Sequence, residues 1–285
     1  MITSWDKNFD PKLYEFLEED GIGKMPLGLL QHSPKLVKTQ IKWKSNLLVA
    51  GMPLVCSYLR KFCSDENQDI SKAIDKLIVL EGKHVEAGST TELELPFNSF
   101  IFLERTLLNI LHRMSAVATT TYEFVQIAKP KGIEILDTRK TTPGLRAMER
   151  YAVALAGGKN HRYDFTDSLM IKDNQKVYFG GLEKAWNFYQ SKKSFYQAII
   201  VEIHNLEELR LAAELGIRHI MLDNFSTEQI RTAVQMKKEH MTYEISGGVN
   251  LQNINDYLIE GVDAISLSTI TFWPAKVDIS WKILP

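Results

Sequence analysis

From about residue 130 onwards, short runs of β-branched and aliphatic residues alternate with stretches of helical character, and this alternation constrains the fold more than any other feature of the chain. Helices are expected after the capping residues Asn205 and Ser226 and over residues 251–260. Strands that alternate with helices are typical of βα units around a parallel sheet. This part of the chain is therefore predicted to form an open, incomplete parallel α/β barrel. The predicted strands are residues 133–136, 169–171, 199–203, 219–222, 243–245 and 264–267.

The preceding residues have a mixed α+β pattern without a recurring unit. Leu13, Phe16 and Leu17 have helical spacing, and residues 38–49 and 90–95 are β-like runs. A helix over residues 104–118 is predicted to join the two parts. The domain prediction is an N-terminal α+β, sandwich-like domain over residues 1–112, the barrel over residues 113–271, and a tail over residues 272–285 that packs back on the first domain.

Charge and composition argue against several classes of protein. The 285 residues include 34 Lys and Arg against 35 Asp and Glu, a formal net charge of −1, so the positive charge typical of nucleic-acid binding is absent. The longest apolar or Gly/Pro run, residues 47–56, is about half of a membrane span, and the first residues do not resemble a secretory signal. The two cysteines, Cys56 and Cys63, lack metal-ligand spacing. We expect a cytoplasmic protein with no nucleic-acid or membrane partner.

Polar residues follow every predicted barrel strand, and the carboxyl ends of parallel strands meet at one face, where barrel enzymes build their active sites. An arginine grips a carboxylate or phosphate through paired hydrogen bonds, and a lysine adds a point charge. An electropositive pocket in a nearly neutral chain predicts an anionic small-molecule substrate. The cations expected to form it are Arg105, Arg139, Lys140, His161, Arg162 and Lys172.

Plain structural alternatives exist for these cations. The Arg139-Lys140 and His161-Arg162 pairs can be solvated loops, and Arg105 can form a surface ion pair with its neighbour Glu104.

The remaining polar clusters are also open to two interpretations. Glu202 and Asp223 lie among apolar residues at strand ends, so they either bind ribose hydroxyls or Mg²⁺ or cap the next helix. The Ser246-Gly247-Gly248 segment either admits a phosphate to backbone N–H groups or forms a tight βα turn.

The ordered set of motifs resembles the quinolinate phosphoribosyltransferase family over nearly the whole chain, most strongly from Glu104 onwards. The resemblance implies transfer of phosphoribose from phosphoribosyl pyrophosphate to quinolinate with decarboxylation, which yields nicotinate mononucleotide, pyrophosphate and CO₂ for NAD biosynthesis. The matching segments are Glu104-Arg105-Thr106 with Asn109, residues 137–146, Gly157-Gly158 through His161-Arg162, Lys172-Asp173-Asn174, residues 222–225 and Ser246-Gly247-Gly248.

The same resemblance implies a role for each matching residue and a homodimer or higher assembly of dimers. In the family, the arginine that matches Arg105 enters the neighbouring subunit's site. The dicarboxylate would be bound by Arg105, Arg139, His161 and Arg162, and the 5′-phosphate by Ser246, Gly247 and Gly248, with Ser268 in the last phosphate loop. The catalytic residues would be Lys140 and Lys172, which bridge towards phosphoribosyl pyrophosphate, with Glu202 and Asp223, which hold the ribose and the Mg²⁺-bound pyrophosphate.

The chain departs from the family pattern at several positions. The family commonly has histidine where this chain has Gln175, glutamate at His204, and glycine at Ser268; Phe272 and Trp273 and the early residues 23–26 also differ. Two alternatives therefore stay open: a noncatalytic anion-binding paralogue, and a related transferase acting on another anionic heterocycle.

Overall fold

A computed structural model describes residues 15–21, 35–64 and 69–285 of the chain. They divide into two compact units, the first comprising the described residues up to Thr119 together with Ala275–Pro285 and the second Thr120–Pro274. Residues 15–19 are helical, whereas Leu13 and residues 23–26 lie outside the described residues.

The first unit is built on small antiparallel sheets, in agreement with the predicted α+β class. Its main sheet has the order β11-β1-β4, and β2 pairs with β3. The elements are β1 (Leu36–Trp43), β2 (Leu47–Leu48), α1 (Met52–Ser64), α2 (Ser71–Ile78), β3 (His84–Val85), β4 (Thr90–Pro96), the first part of α3 (Phe97–Ala128) and β11 (Ile279–Ile283).

Strand β1 shows how the core of this unit forms. Its residues alternate between the two faces of the sheet, so Thr39, Ile41 and Trp43 are buried together. Trp281 of β11 lies opposite Ile41, is 2% exposed, and donates its indole N–H to the Thr39 hydroxyl at 3.0 Å. Phe100 packs edge-on against the Trp281 ring at a centroid distance of 5.7 Å. The last strand of the chain is thus part of the core of the first unit.

The second unit contains a six-stranded, entirely parallel sheet of order β5-β10-β9-β8-β7-β6. Each strand agrees with its predicted range to within one residue at either end, and the sheet forms an open α/β barrel, as predicted. One further parallel bridge joins Leu136 to Lys159 beside the sheet. The strands are β5 (Glu134–Leu136), β6 (Leu169–Ile171), β7 (Ile199–Ile203), β8 (His219–Asp223), β9 (Thr242–Ser246) and β10 (Ala264–Ser266).

The helices of the second unit begin largely where the capping residues indicated. The Asn205 side chain accepts the N–H of Glu208 at 2.9 Å, and Ser226 forms a complete capping box with Gln229. The helices are the end of α3, α4 (Arg146–Leu155), α5 (Asp173–Phe179), α6 (Leu182–Lys192), α7 (Leu206–Glu214), α8 (Thr227–Gln235), α9 (Ile254–Tyr257) and α10 (Thr269–Phe272).

Two helices differ in length from their predictions. Helix α3 extends well beyond the predicted residues 104–118 at both ends, whereas the helix predicted over residues 251–260 contains only α9. The Asn250 side chain accepts the N–H groups of Gln252 and Asn253, and Asn253 in turn accepts the N–H of Asn250. This reciprocal pattern is that of a capping box and agrees with a helical start near the predicted residue 251, although α9 itself covers only Ile254–Tyr257.

None of the helices within the described ranges combines the length and apolar character that a membrane crossing requires.

Replacement of Trp281 by Ala should lower the free energy of unfolding by about 3–5 kcal/mol, because it leaves a cavity and removes the indole partner of Thr39. The measurement is urea denaturation followed by far-ultraviolet circular dichroism. Trp273→Ala is the matched control, since Trp273 is 80% exposed and its loss should change stability by less than about 0.5 kcal/mol. Equal effects of the two substitutions would contradict the packing described for β11.

Candidate active site

A cleft of about 950 Å³ opens at the carboxyl ends of the parallel strands of the second unit. The cleft is lined by more basic than acidic side chains. The basic ones are Arg139, Lys140, Arg162 and Lys172, and the acidic ones are Glu202 and Asp223. The cleft is therefore locally positive in a chain whose net charge is −1. Its lining residues are 138–140, 161, 162, 165, 169, 170, 172, 174, 175, 189, 202, 221, 223, 224, 246–250 and 266–269.

The Lys172–Glu202 ion pair connects two neighbouring strands at the floor of the cleft. Lys172 directly follows β6, and Glu202 is the fourth residue of β7. The Lys172 ammonium donates to Glu202 Oε2 at 2.5 Å, and the Glu202 side chain is 8% exposed whereas that of Lys172 is 47% exposed. A buried carboxylate needs such a partner to stay charged. The exposed half of the Lys172 side chain lines the cleft.

His204 lies among three carboxylates at this end of the sheet. Its Nε2 is 2.5 Å from Asp173 and 3.5 Å from Glu202, and its Nδ1 is 3.6 Å from Asp223. The ring therefore lies within 3.6 Å of all three acidic side chains.

Asp173, Glu202 and His204 bring one ligand atom each to within 4.8 Å of one another, a spacing that can suit a metal ion. These side chains already have cationic neighbours, however. Lys172 bonds Glu202, and the buried Lys176 ammonium lies 3.5 Å from Asp173 and donates to the Glu202 carbonyl at 3.2 Å and to Glu208 at 2.9 Å. Two lysine ammonium groups thus already contact the carboxylates of this cluster.

His161 and Arg162 are fixed from behind by a buried network. Asp137, fully buried at the end of β5, accepts the N–H of His161 at 2.7 Å and an Arg150 N–H at 3.1 Å. Arg150, on α4, also donates to the carbonyl oxygens of His161 and Arg162. Burial raises the pKa of Asp137 to about 6, although the charge of Arg150 and the His161 N–H act in the opposite direction.

The His161 ring is itself engaged within the protein. Its Nδ1 accepts the backbone N–H of Arg162 at 2.7 Å, which places the ring proton of the neutral form on Nε2. Nε2 lies 3.3 Å from a carboxylate oxygen of Glu244 on β9, and the His161 side chain is only 7% exposed. The alternative that His161 belongs to an exposed loop pair is therefore wrong.

Arg139 and Arg162 both lie close to the ring of Phe165, which lines the cleft. Their guanidinium carbons lie 4.1 Å and 5.5 Å from the ring centroid, within the range of cation–π contacts. Arg162 also donates to the Ser168 carbonyl at 2.9 Å. Burial, together with the neighbouring charge of Arg139, lowers the pKa of Arg162 from its ordinary value.

The loops that follow the neighbouring strands β8 and β9 form another wall of the cleft. Asn224, after β8, has a positive φ of 55° and donates its N–H to the Ser246 carbonyl at 2.8 Å. Gly247 has a φ of 97°, and a Cβ placed there would lie 2.2 Å from the Asn224 side-chain oxygen. Glycine is therefore required at 247 both by its backbone conformation and by this close approach.

The last two predicted positions near this wall are Lys140 and Ser268. The hydroxyl of Thr271, on α10, donates to the Lys140 carbonyl at 2.7 Å and so ties the loop after β5 to the loop after β10. Ser268 lines the cleft directly before α10.

The predicted site residues of the second unit thus come together: Arg139, Lys140, His161, Arg162, Lys172, Glu202, Asp223, Ser246, Gly247, Gly248 and Ser268 all line the cleft. Arg105 lies on α3 in the first unit, where its side chain is 61% exposed and 3.4 Å from Glu104. The ion pair proposed as its structural alternative is present.

Sequence reasoning missed several residues of the site. Phe165 and Tyr189 line the cleft, and no motif in the sequence marks either of them. Arg150 and Glu244 support the cleft from within the barrel. The one available signal was a charged residue inside a predicted strand, Glu244, because a charge is rarely buried without a partner.

The titration of Asp137 gives a pH-dependent prediction. The unfolded carboxyl loses its proton near its ordinary pKa of 3.8, whereas the folded one keeps it to about 6. The folded state therefore binds more protons between these values, and the stability contributed by Asp137 falls as the pH rises through this window.

Asp137→Asn is the matched variant, since its amide oxygen can still accept from Arg150 and from the His161 N–H. The free energy of unfolding of the natural protein minus that of Asp137→Asn should fall between about pH 4.5 and about pH 6 and level off above about pH 7. Urea denaturation across this range measures the difference. A difference that rises over the same range would show that the Arg150 charge, rather than burial, dominates the pKa of Asp137.

Comparison with known proteins finds a family match over the region of the chain that contains the cleft. A family model described as the C-terminal domain of quinolinate phosphoribosyl transferase matches residues 117–282, more than half of the sequence. A Synechocystis protein named probable nicotinate-nucleotide pyrophosphorylase (carboxylating) is 34% identical, with 96% of this chain and 92% of that protein covered. The human nicotinate-nucleotide pyrophosphorylase (carboxylating) is 34% identical over 70% of this chain and 69% of its own length.

The fold is shared with solved structures of similarly named proteins. The crystal structure of nicotinate-nucleotide pyrophosphorylase from Ehrlichia chaffeensis superposes with a TM-score of 0.85 at 26% identity, covering 97% of this chain and 98% of the other. The family match and the relatives lead to one conclusion: the chain belongs to the quinolinate phosphoribosyltransferase family.

Proposed function

We propose that this protein transfers phosphoribose from phosphoribosyl pyrophosphate to quinolinate and releases CO₂, forming nicotinate mononucleotide and pyrophosphate for NAD biosynthesis. The observation that carries the proposal is the cleft itself. It places Arg139, Lys140, Arg162 and Lys172 on one mouth of the barrel together with two carboxylates, in a chain that belongs to this family. Both substrates are polyanions, and the excess of cations suits them.

The dicarboxylate end of the cleft is formed by Arg139 and Arg162. Planar guanidinium groups bind carboxylates through paired hydrogen bonds, and both of these lie within 5.5 Å of the centroid of the Phe165 ring. His161 supports this end by accepting the N–H of Arg162, and Asp137 and Arg150 fix the backbone of both residues. Preorganised cations of this kind need little rearrangement when the substrate binds.

The rest of the cleft, away from Arg139 and Arg162, binds phosphoribosyl pyrophosphate and is called the phosphoribosyl end. Lys140 and Lys172 extend towards the pyrophosphate, and Glu202 and Asp223 hold the ribose hydroxyls. The 5′-phosphate lies against Ser246, Gly247, Gly248 and Ser268, where two glycines with positive φ leave backbone N–H groups accessible.

Mg²⁺ is the cofactor that this arrangement would take. Mg²⁺ is usually held by one or two carboxylates together with substrate phosphates. Asp223 fits this role: its contacts are with the Asn224 amide at 2.8 Å and the His204 ring at 3.6 Å, and its side chain remains 20% exposed to the cleft. Glu202, already bonded to Lys172, stands beside it. When bound, Mg²⁺ offsets the negative charge of the departing pyrophosphate.

The reaction needs positioning more than a protein nucleophile. The pyridine nitrogen forms a bond to the anomeric carbon while the bond to pyrophosphate breaks and its electron pair leaves with pyrophosphate. Glu202 and Asp223 stabilise the positive charge that develops on the sugar. The resulting pyridinium then accepts the electron pair of the breaking carbon–carboxylate bond, CO₂ leaves, and a proton adds to the ring carbon. Lys140 and Lys172 hold the anionic groups in line throughout.

The protein works in the cytoplasm as a homodimer or a larger assembly of dimers, in which Arg105 of one subunit completes the dicarboxylate end of its partner's cleft. The exposed position of Arg105 on α3 supports this arrangement, because its side chain is accessible to a second copy.

The direct test is to incubate the purified protein with Mg²⁺, phosphoribosyl pyrophosphate and either quinolinate or nicotinate. We expect equal amounts of nicotinate mononucleotide and CO₂ from quinolinate and no product from nicotinate. Lys172→Ala is the control, and it should abolish turnover. Because Glu202 loses its ion-pair partner, the unfolding temperature should fall, but the far-ultraviolet circular dichroism spectrum should remain that of the folded protein. Binding without product would favour a noncatalytic paralogue, and product from a different heterocycle would favour a related transferase.

The shared site gives a second test by mixing subunits. Arg105→Ala and Lys140→Ala should each be nearly inactive alone. A mixed dimer contains one cleft with an intact Lys140 and an intact Arg105 from its partner, so co-refolded mixtures should regain up to about a quarter of the natural activity at equal proportions. This estimate assumes random pairing, with half of the dimers mixed and one active cleft in each. Mixtures that stay inactive would place Arg105 in its own subunit's cleft, and full activity of Arg105→Ala alone would place it outside the site.

A further inference from the structure

The ring of Phe165 lies at the cleft but is unlike the other large apolar side chains of the site. It lines the cleft and yet is 70% exposed, so burial in the core does not explain its position. The loop that carries it is well defined: the Asp164 carboxylate accepts both the N–H and the hydroxyl of Thr166 at 2.7 Å, and Asp167 accepts the N–H of Tyr163 at 2.9 Å. These bonds fix the loop in a conformation that leaves the Phe165 ring exposed at the mouth of the cleft.

The surroundings of the ring are cationic. Arg139 lies 4.1 Å and Arg162 5.5 Å from its centroid, and they come from separate loops, after β5 and before β6. Two guanidinium groups of like charge repel, and the lowered pKa of Arg162 reflects both its burial and the charge of Arg139. The negative face of an aromatic ring counteracts this repulsion and fixes the planes of the guanidinium groups.

We propose that Phe165 is a substrate-positioning residue: it orients Arg139 and Arg162 for an aromatic dicarboxylate and covers the heterocyclic ring once that substrate is bound. The proposal rests on the proposed function and adds a residue to the quinolinate end of the cleft. An aromatic ring beside paired guanidinium groups matches a flat dianion, since it offers a stacking surface next to two carboxylate-binding forks. Phe165 therefore distinguishes the dicarboxylate from the phosphoribosyl substrate.

The test is to measure kcat, the KM for each substrate, and the calorimetric Kd for quinolinate in Phe165→Ala, Phe165→Leu and Phe165→Trp. We expect Phe165→Ala to raise the KM and Kd for quinolinate about 5- to 30-fold, the loss expected for two cation–π contacts, with the KM for phosphoribosyl pyrophosphate changed less than about twofold. Phe165→Trp should stay close to the natural protein, whereas Phe165→Leu should resemble Phe165→Ala, because leucine keeps the apolar surface but has no aromatic face.

Phe195→Ala is the matched control. Phe195 is 87% exposed in the same unit, packs edge-on against Tyr196, and lies outside the residues that form the cleft. Its loss should leave both KM values unchanged, and the thermal unfolding curves of all variants should match that of the natural protein.

Three results would overturn the proposal: an unchanged affinity for quinolinate in Phe165→Ala, an equal loss for both substrates, or full recovery by Phe165→Leu. The binding measurement separates this outcome from failure of the proposed function. A protein that binds quinolinate in a Phe165-dependent manner but forms no product retains the role of Phe165 and loses the proposed reaction, whereas a natural protein that does not bind quinolinate overturns both.

Discussion

The parallel ladder of the six-stranded sheet is the constraint on which the rest of the second unit depends. Because every strand runs in the same direction, the residues that follow the strands all arrive at one edge, although up to 130 positions separate them along the chain. The register then decides which side chains meet. Lys172 after β6 and Glu202 on the neighbouring β7 come close enough for an ion pair. Asn224 after β8 donates its N–H to the carbonyl of Ser246 on the neighbouring β9.

Gathering cations at one edge has an electrostatic cost, and the structure offsets it in two ways. On one side, buried carboxylates and carbonyl oxygens take up charge: Lys172 bonds Glu202, and Lys176 bonds Glu208 behind it. On the other side, the Asp137–Arg150 pair fixes the backbone of His161 and Arg162, and the ring of Phe165 contacts Arg139 and Arg162. Lys172, Arg139 and Arg162 thus have partners within the protein and still line the cleft.

Much of this could be predicted from the sequence. The strands of the barrel follow from runs of β-branched residues, and the capping residues Asn205 and Ser226 mark the helices, because these are local properties of a few neighbouring residues. The helix predicted over residues 251–260 is the exception, since α9 covers only Ile254–Tyr257 although Asn250 and Asn253 bond reciprocally at its start. A polar residue directly after a strand lines the cleft in the cases of Lys172 and Asn224, but Asp137 directly after β5 is fully buried.

The sequence by itself thus determined the class of fold, the residues at the mouth of the barrel and, through its motifs, the family. Only the tertiary structure decided which of those residues are partners. His204 lies among Asp173, Glu202 and Asp223, the His161 ring lies beside Glu244, and the Phe165 ring contacts two arginines. These contacts join residues from separate strands and loops, and their distances depend on the register of the sheet and the conformation of each loop. Hydrophobic periodicity specifies which face of an element is buried, but not which side chains come within hydrogen-bonding distance across the barrel.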